Sequence, residues 1–80
     1  MEKRIFEHYK NRLINEGGRK ENIRFNVIQY LCSFPRINPV EMAAALTTEG
    51  YSVLYDDTSI TSAENEANKR RVDKMLNKRA

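Results

Sequence analysis

A chain of 80 residues has room for one domain. Its composition, with 40% hydrophobic and 31% charged side chains, excludes a fibrous or a wholly disordered protein. Its single cysteine, Cys32, excludes an internal disulfide and favours a reducing compartment. The charged N-terminal segment lacks the apolar run of a signal peptide, and no stretch approaches the ~18 apolar residues of a membrane span, so we expect a cytoplasmic protein without membrane contact.

The formal net charge of +3 is unevenly distributed along the chain. Residues 1–36 carry eight basic and four acidic side chains, residues 37–66 carry six acidic and no basic ones, and residues 67–80 carry six basic and one acidic. Such blocks predict surfaces of opposite sign, and a basic surface can meet phosphate groups.

The first predicted element is an amphipathic helix over residues 2–15. Its apolar residues recur at helical spacing on one side: Ile5, Phe6, Tyr9 and Leu13. His8, the only histidine, lies at the edge of this helix and is expected to be an ordinary surface residue. Gly17-Gly18 then predicts the end of the helix, because glycine adopts the left-handed conformation that often follows a last turn.

A second helix is predicted over residues 22–34, with Asn22 as its N-cap and Pro35 at its end. Apolar side chains occupy two sides of it: Ile23, Val27, Tyr30, Leu31 and Phe34 on one, and Phe25, Ile28 and Cys32 on the other. A helix that is apolar on two sides is usually the central one of a bundle. We therefore expect it in the middle of the core, with Cys32 as a buried, inert thiol rather than a redox site.

The clearest start signal belongs to a third helix, predicted over residues 38–49 from the motif NPVE. Asn38 is expected to accept a hydrogen bond from the N–H of Glu41, and Pro39 suits the first helical position, where an N–H is not needed. The helix should end at Gly50. Its expected core contacts are Met42, Ala43 and Leu46.

Residues 51–55, with the sequence YSVLY, favour an extended conformation because they are rich in aromatic and β-branched side chains. A single short strand cannot form a sheet, so it needs a partner from elsewhere in the chain or from a second subunit. An irregular loop is the other interpretation. Asp56-Asp57 then predicts a turn.

The last helix, predicted over residues 61–79 from a capping box that begins at Thr61, is the candidate functional element. Val72, Met75 and Leu76 face one way and are expected to dock onto the core. The remaining sides carry groups that bind phosphates and base edges: Asn68, Lys69, Arg70, Arg71, Lys74, Asn77, Lys78 and Arg79. A solubilising outer face is the competing interpretation of this charge run.

No catalytic, cofactor or metal site is expected. His8 and Cys32 cannot complete a structural zinc site within one chain, and Gly17-Gly18 lacks the spacing and the preceding strand of a phosphate-binding loop. No nucleophile–base arrangement stands out in the sequence. We therefore expect a protein that binds rather than catalyses.

With these helices placed, residues 23–80 resemble a helix-turn-helix DNA-binding domain. The stretch NIRFNVIQYLCSFPRINPVEMAAALTTEGYS is similar to its first two helices, and ANKRRVDKMLNKR is similar to its recognition helix. Among winged-helix proteins, the N-terminal domain of arginine repressors has a similar acidic–glycine–aromatic step towards the recognition helix. Residues 51–60 depart from the pattern, because a few residues normally join these helices.

The predicted elements and the resemblance together imply a mainly α fold, a helix-turn-helix-like bundle of about four helices with a short strand as an option. The implied function is that of a transcriptional regulator that binds double-stranded DNA as a homodimer. The candidate contacts are Lys69, Arg70, Arg71, Lys74 and Lys78. The alternative is a small protein–protein interaction module, an inhibitor or adaptor, that uses the acidic middle of the chain and the YSVLY segment.

Overall fold

The computed structural model describes residues 2–15, 22–33 and 36–79. Within these residues the elements follow one another as α1 (Lys3–Asn15), β1 (Ile23–Arg24), α2 (Phe25–Ser33), α3 (Pro39–Thr48), β2 (Val53–Leu54) and α4 (Ser62–Arg79). The mainly helical class predicted from the sequence is confirmed. The predicted helix stop at Gly17-Gly18 lies outside the described residues, as do Phe34 and Pro35.

Helices α3 and α4 begin at the capping residues that the sequence predicts. The Oδ1 atom of Asn38 accepts a hydrogen bond from the N–H of Val40 at 2.9 Å. The cap is confirmed, although the donor is not the expected N–H of Glu41. The Oγ1 atom of Thr61 accepts from the N–H of Glu64 at 3.1 Å. Both bonds satisfy first-turn N–H groups that have no carbonyl partner within the helix.

Strand β1 replaces the beginning of the helix predicted over residues 22–34. The N–H of Ile23 donates to the carbonyl of Ser52 at 2.8 Å, so this part of the backbone pairs with a strand. Helix α2 begins only at Phe25, and Asn22 is therefore not its N-cap. Strand pairing is favoured here because it gives the backbone N–H groups hydrogen-bond partners that the first turn of a helix would not provide.

The two strands form a small parallel sheet with the register Ile23–Val53 and Arg24–Leu54. The extended interpretation of YSVLY is therefore confirmed, and its strand partner comes from the same chain rather than from a second subunit. Beyond the sheet, the Nε atom of Arg24 donates to Oδ1 of Asp56 at 3.0 Å. The connection between the strands runs through α2 and α3, as parallel pairing requires.

Helix α3, rather than α2, is the centre of the core. It contacts α1, α2, α4 and β2, and it packs most extensively against α4. Its small side chains let neighbouring helices approach from several sides, since the distance between packed helices depends on the residues at the contact. The fully buried residues of this helix are Met42, Ala43, Ala44 and Leu46. The expectation that residues 23–34 hold the central position is wrong for this reason.

Helix α2 buries residues of both predicted apolar stripes, but not every member of them. Its buried residues are Phe25, Ile28, Leu31 and Cys32. Tyr30, which the sequence places in an apolar stripe, is 77% exposed. In α1, Phe6 and Leu13 are buried, whereas Ile5 is 38% exposed although the same stripe was expected to include it. Both corrections arise because helical spacing alone does not show how wide a strip the neighbouring elements cover.

Candidate nucleic-acid interface

Helix α4 is held against the core by the side that the sequence predicts. Val72 is 1% exposed, and Met75 and Leu76 are partly buried against the core. Its main packing partner is α3. Since one side of a helix is covered in this way, the side chains on the opposite side are left to the solvent.

Three basic side chains form a row on this solvent-facing side. Arg70, Lys74 and Lys78 are exposed and follow one another at four-residue intervals, so they lie on one face with roughly 6 Å of axial rise between neighbours. Within the described part of the chain, no carboxylate forms an ion pair with any of them. We call these three residues the α4 basic face. Asn77, also exposed, lies beside the row.

Lys69 and Arg71 lie on opposite flanks of the α4 basic face. Lys69 lines a groove of ≈190 Å³ between α4 and β2, together with Tyr55 and Asp73. Arg71 lines a second groove between α4 and α2, together with Gln29. The structure therefore divides the five candidate contact residues, placing three on one face and one on each flank.

Asn68, expected among the contacting side chains, is buried instead. It is 8% exposed, and its Oδ1 accepts a hydrogen bond from the guanidinium of Arg71 at 2.8 Å. Its burial could have been inferred from spacing, since Asn68 stands four residues before Val72 and shares the docking side of the helix. Its contribution is to hold Arg71 in one orientation.

Acidic side chains surround the beginning of α4. The carboxylate of Asp57 accepts hydrogen bonds from the hydroxyl and the N–H of Ser59, which lower the pKa of that carboxyl, and the charge of Arg24 acts in the same direction. The turn itself lies at Thr58-Ser59, directly after the Asp56-Asp57 position that the sequence predicts. Glu64 and Glu66 follow, both exposed. Positive charge is consequently confined to the later turns of α4.

Two groups whose pKa is raised by burial, Cys32 and Tyr55, are neutral near physiological pH. Burial raises the pKa of the Cys32 thiol to about 11, which agrees with the expected inert cysteine. Burial, and then the charge of Asp73, raises the pKa of Tyr55 to about 12. His8 is exposed, as expected, and its ring meets that of Tyr9 edge to face. Neither Cys32 nor Tyr55 is therefore an activated nucleophile.

Among residues 2–15, 22–33 and 36–79, no three histidine, cysteine or acidic side chains come together in a group that could hold a metal ion. None of the helices described is both long and apolar enough to cross a membrane. No family model, no curated protein and no solved structure matches this chain.

Proposed function

We propose that the chain is a DNA-binding transcriptional regulator whose α4 basic face contacts the phosphate backbone of the duplex. The observation that carries the proposal is the row of Arg70, Lys74 and Lys78, which no carboxylate of the described residues neutralises. Val72, buried on the opposite side of α4, packs the helix against the core, so the row keeps a fixed position relative to the core. Basic side chains that neutralise phosphates gain affinity by releasing condensed counterions.

The dimensions of the α4 basic face suit a phosphate backbone. Eight residues separate Arg70 from Lys78, which corresponds to ~12 Å of axial rise in a helix. One strand of B-DNA carries a phosphate about every 3.4 Å along its axis, so three long side chains on this row can each reach a different phosphate. The contact needs no rearrangement of α4.

The acidic start of α4 determines how the helix would lie on the duplex. Phosphates repel Glu64 and Glu66, so the first turns point away from the backbone and the later turns make the contact. This orientation differs from that of a recognition helix that places its N-terminal residues in the major groove. Asn77 is the exposed amide on this side, and asparagine can pair with the edge of adenine. Because three contacts give modest affinity, a homodimer belongs to the proposal.

Fluorescence anisotropy of a labelled random duplex, measured over a series of salt concentrations, tests the proposal. Three phosphate contacts predict a log-affinity against log-salt slope of about −2.7 for each protomer. Replacing Arg70 and Lys74 together with alanine should reduce the magnitude of the slope by up to ~2. The melting curve of this double variant should stay close to that of the wild type, because exposed charges contribute little to stability.

A matched control removes the same charge elsewhere. Lys3 and Arg4 are exposed on α1, so a Lys3→Ala, Arg4→Ala variant has the same net charge as the double variant of α4. It should bind the duplex with the affinity and salt slope of the wild type. Equal weakening by both double variants would mean that net charge alone drives binding, and wild-type protein that fails to bind at low salt would reject the proposal.

The exposure of Tyr30 supports a second candidate function, that of a protein–protein interaction module. This tyrosine is 77% exposed on α2, and tyrosines are enriched at the energetic centres of protein interfaces. The YSVLY segment already pairs with β1, which leaves only the other edge of β2 for an added strand. In this case the wild type should show no salt-dependent affinity for duplex DNA, and the salt series therefore separates the two candidates.

A further inference from the structure

A concave polar surface lies beside the α4 basic face. It is a groove of ≈390 Å³ between α2 and α4, lined by Gln29, Ile60, Glu64, Ala67, Asn68 and Arg71. The volume falls within the range of sites for small ligands or single chemical groups. Four of these six side chains are polar, so the groove suits a polar group rather than an apolar one.

Arg71 is oriented in this groove by a buried partner. Asn68 is 8% exposed, and the bond from the Arg71 guanidinium to its Oδ1 measures 2.8 Å. A guanidinium has five N–H donors, so this bond leaves others for a ligand. A side chain that is already held in place loses less conformational freedom when it binds.

Two amide groups add further donors to the same groove. Gln29 is half-buried on α2, and no described residue forms a hydrogen bond with its side chain. The Nδ2 atom of Asn68 likewise has no acceptor among the described residues. Together with Arg71, these groups offer hydrogen-bond donors to one ligand from two helices. Phosphate oxygens only accept hydrogen bonds, so they match such a set.

Glu64 limits where an anion can lie. It precedes Arg71 by seven residues, which corresponds to ~10 Å along a helix. Its negative charge repels an anion at its own end of the groove, whereas the Arg71 end attracts one. The groove therefore has a place for one phosphate group, next to Arg71.

We propose that this groove binds one phosphate group of the same DNA backbone that lies on the α4 basic face, with Arg71 and Gln29 as its ligands. Asn68 positions Arg71 through its Oδ1 atom and adds its Nδ2 donor to the site. The inference rests on the proposed function, because Arg71 flanks the row that begins at Arg70. Contact from both α2 and α4 would fix the duplex relative to the whole core instead of to one helix. Gln29 is then a binding residue that no charge pattern reveals.

Nuclear magnetic resonance of the ¹⁵N-labelled wild type tests the site directly. Gln29 is the only glutamine of the chain, so its side-chain amide pair is identifiable by residue type. A short duplex should shift this pair and the Nε signal of Arg71, while inorganic phosphate should shift them only at much higher concentration. Shifts with inorganic phosphate but none with the duplex would assign the groove to a free anion and overturn the proposal.

A charge placed in the groove provides the second test. Gln29→Glu preserves the size of the side chain and introduces a carboxylate, which should weaken duplex affinity roughly tenfold by repelling the phosphate. Asn11→Asp adds the same charge at an exposed position of α1 and should change the affinity less than about twofold. Melting curves of both variants show whether the fold is retained.

The outcomes separate this inference from the function on which it rests. One outcome is that the wild type binds the duplex, with binding weakened in the double variant Arg70→Ala/Lys74→Ala but not in Gln29→Glu. In that case the proposal for the α4 basic face is supported and the proposal for the groove is rejected. If the wild type does not bind the duplex at all, both proposals are wrong. Loss of affinity in Gln29→Glu but not in Asn11→Asp, with the Gln29 amide shifted by the duplex, supports both.

Discussion

The side-chain amide of Asn65 forms hydrogen bonds with both backbone polar groups of Asp57. Its Oδ1 accepts from the N–H of Asp57 at 3.2 Å, and its Nδ2 donates to the carbonyl of Asp57 at 2.9 Å. The two residues are eight positions apart, so the bonds tie the loop after β2 to the first turns of α4. This pair helps to determine where α4 lies relative to the sheet.

We expect Asn65→Ala to lower the free energy of unfolding by about 1–3 kcal/mol, because two part-buried backbone groups lose their partner. Asn65→Asp keeps the acceptor for the Asp57 N–H but places a carboxylate oxygen against the Asp57 carbonyl, so it should not recover the stability that the alanine variant loses. Urea unfolding followed by circular dichroism measures both. A midpoint for Asn65→Ala equal to that of the wild type would show that water replaces the amide without loss.

The cap of α3 should respond to substitution in a graded way. Asn38→Ala removes the acceptor of the Val40 N–H and should cost about 1 kcal/mol, whereas Asn38→Gly should lose only a few tenths. Chemical denaturation of the two variants beside the wild type measures the difference. If all three proteins are equally stable, the hydrogen bond contributes nothing to the start of this helix.

Two adjacent residues of α2 test its orientation. Leu31 is 6% exposed and Tyr30 is 77% exposed. Leu31→Ala should destabilise the fold by ~2–5 kcal/mol, since it leaves a cavity in the core. Tyr30→Ala should shift the unfolding free energy by less than about 0.5 kcal/mol, as surface substitutions usually do. Similar losses from both substitutions would contradict the burial of Leu31 and the exposure of Tyr30.

The Cys32 thiol should react slowly with a disulfide reagent in the native protein. Its pKa of about 11, against an ordinary 9.0, leaves it far more protonated near pH 8 than a free cysteine. Two pKa units reduce the thiolate fraction ~100-fold, and burial slows access further. The rate is measured by the absorbance of the thiol that the disulfide reagent releases at that pH, in the native protein and in protein unfolded in urea. Equal rates in both states would show that the thiol is accessible.

The same pKa shift has a consequence for stability at high pH. Between about pH 9 and pH 11 the unfolded chain loses the thiol proton while the folded chain keeps it, so stability falls as the pH rises through this range. Cys32→Ala should remove this part of the fall. Tyr55, with its pKa raised to about 12, adds a similar fall at still higher pH, which persists in the variant. Unfolding in urea at several alkaline pH values measures both.

The sequence by itself determined the helix starts at Asn38 and Thr61 and the docking side of α4. A capping bond joins residues two or three positions apart, so nothing distant is needed to predict it. Val72 faces the core for an equally local reason, because helical periodicity separates the apolar side of α4 from the basic one. The α4 basic face could therefore be predicted from the sequence pattern.

Only the tertiary structure decided which segments of the predicted helices form strands instead and which polar side chains lie next to each other. Ile23 lies in a strand because its partner Val53 stands thirty residues further along the chain, and no local pattern reveals that pairing. Likewise, Gln29 shares a groove with Arg71 only because α2 and α4 both pack against α3. Periodicity shows which way a side chain points from its own helix. Which neighbour it meets depends on how several elements pack at once.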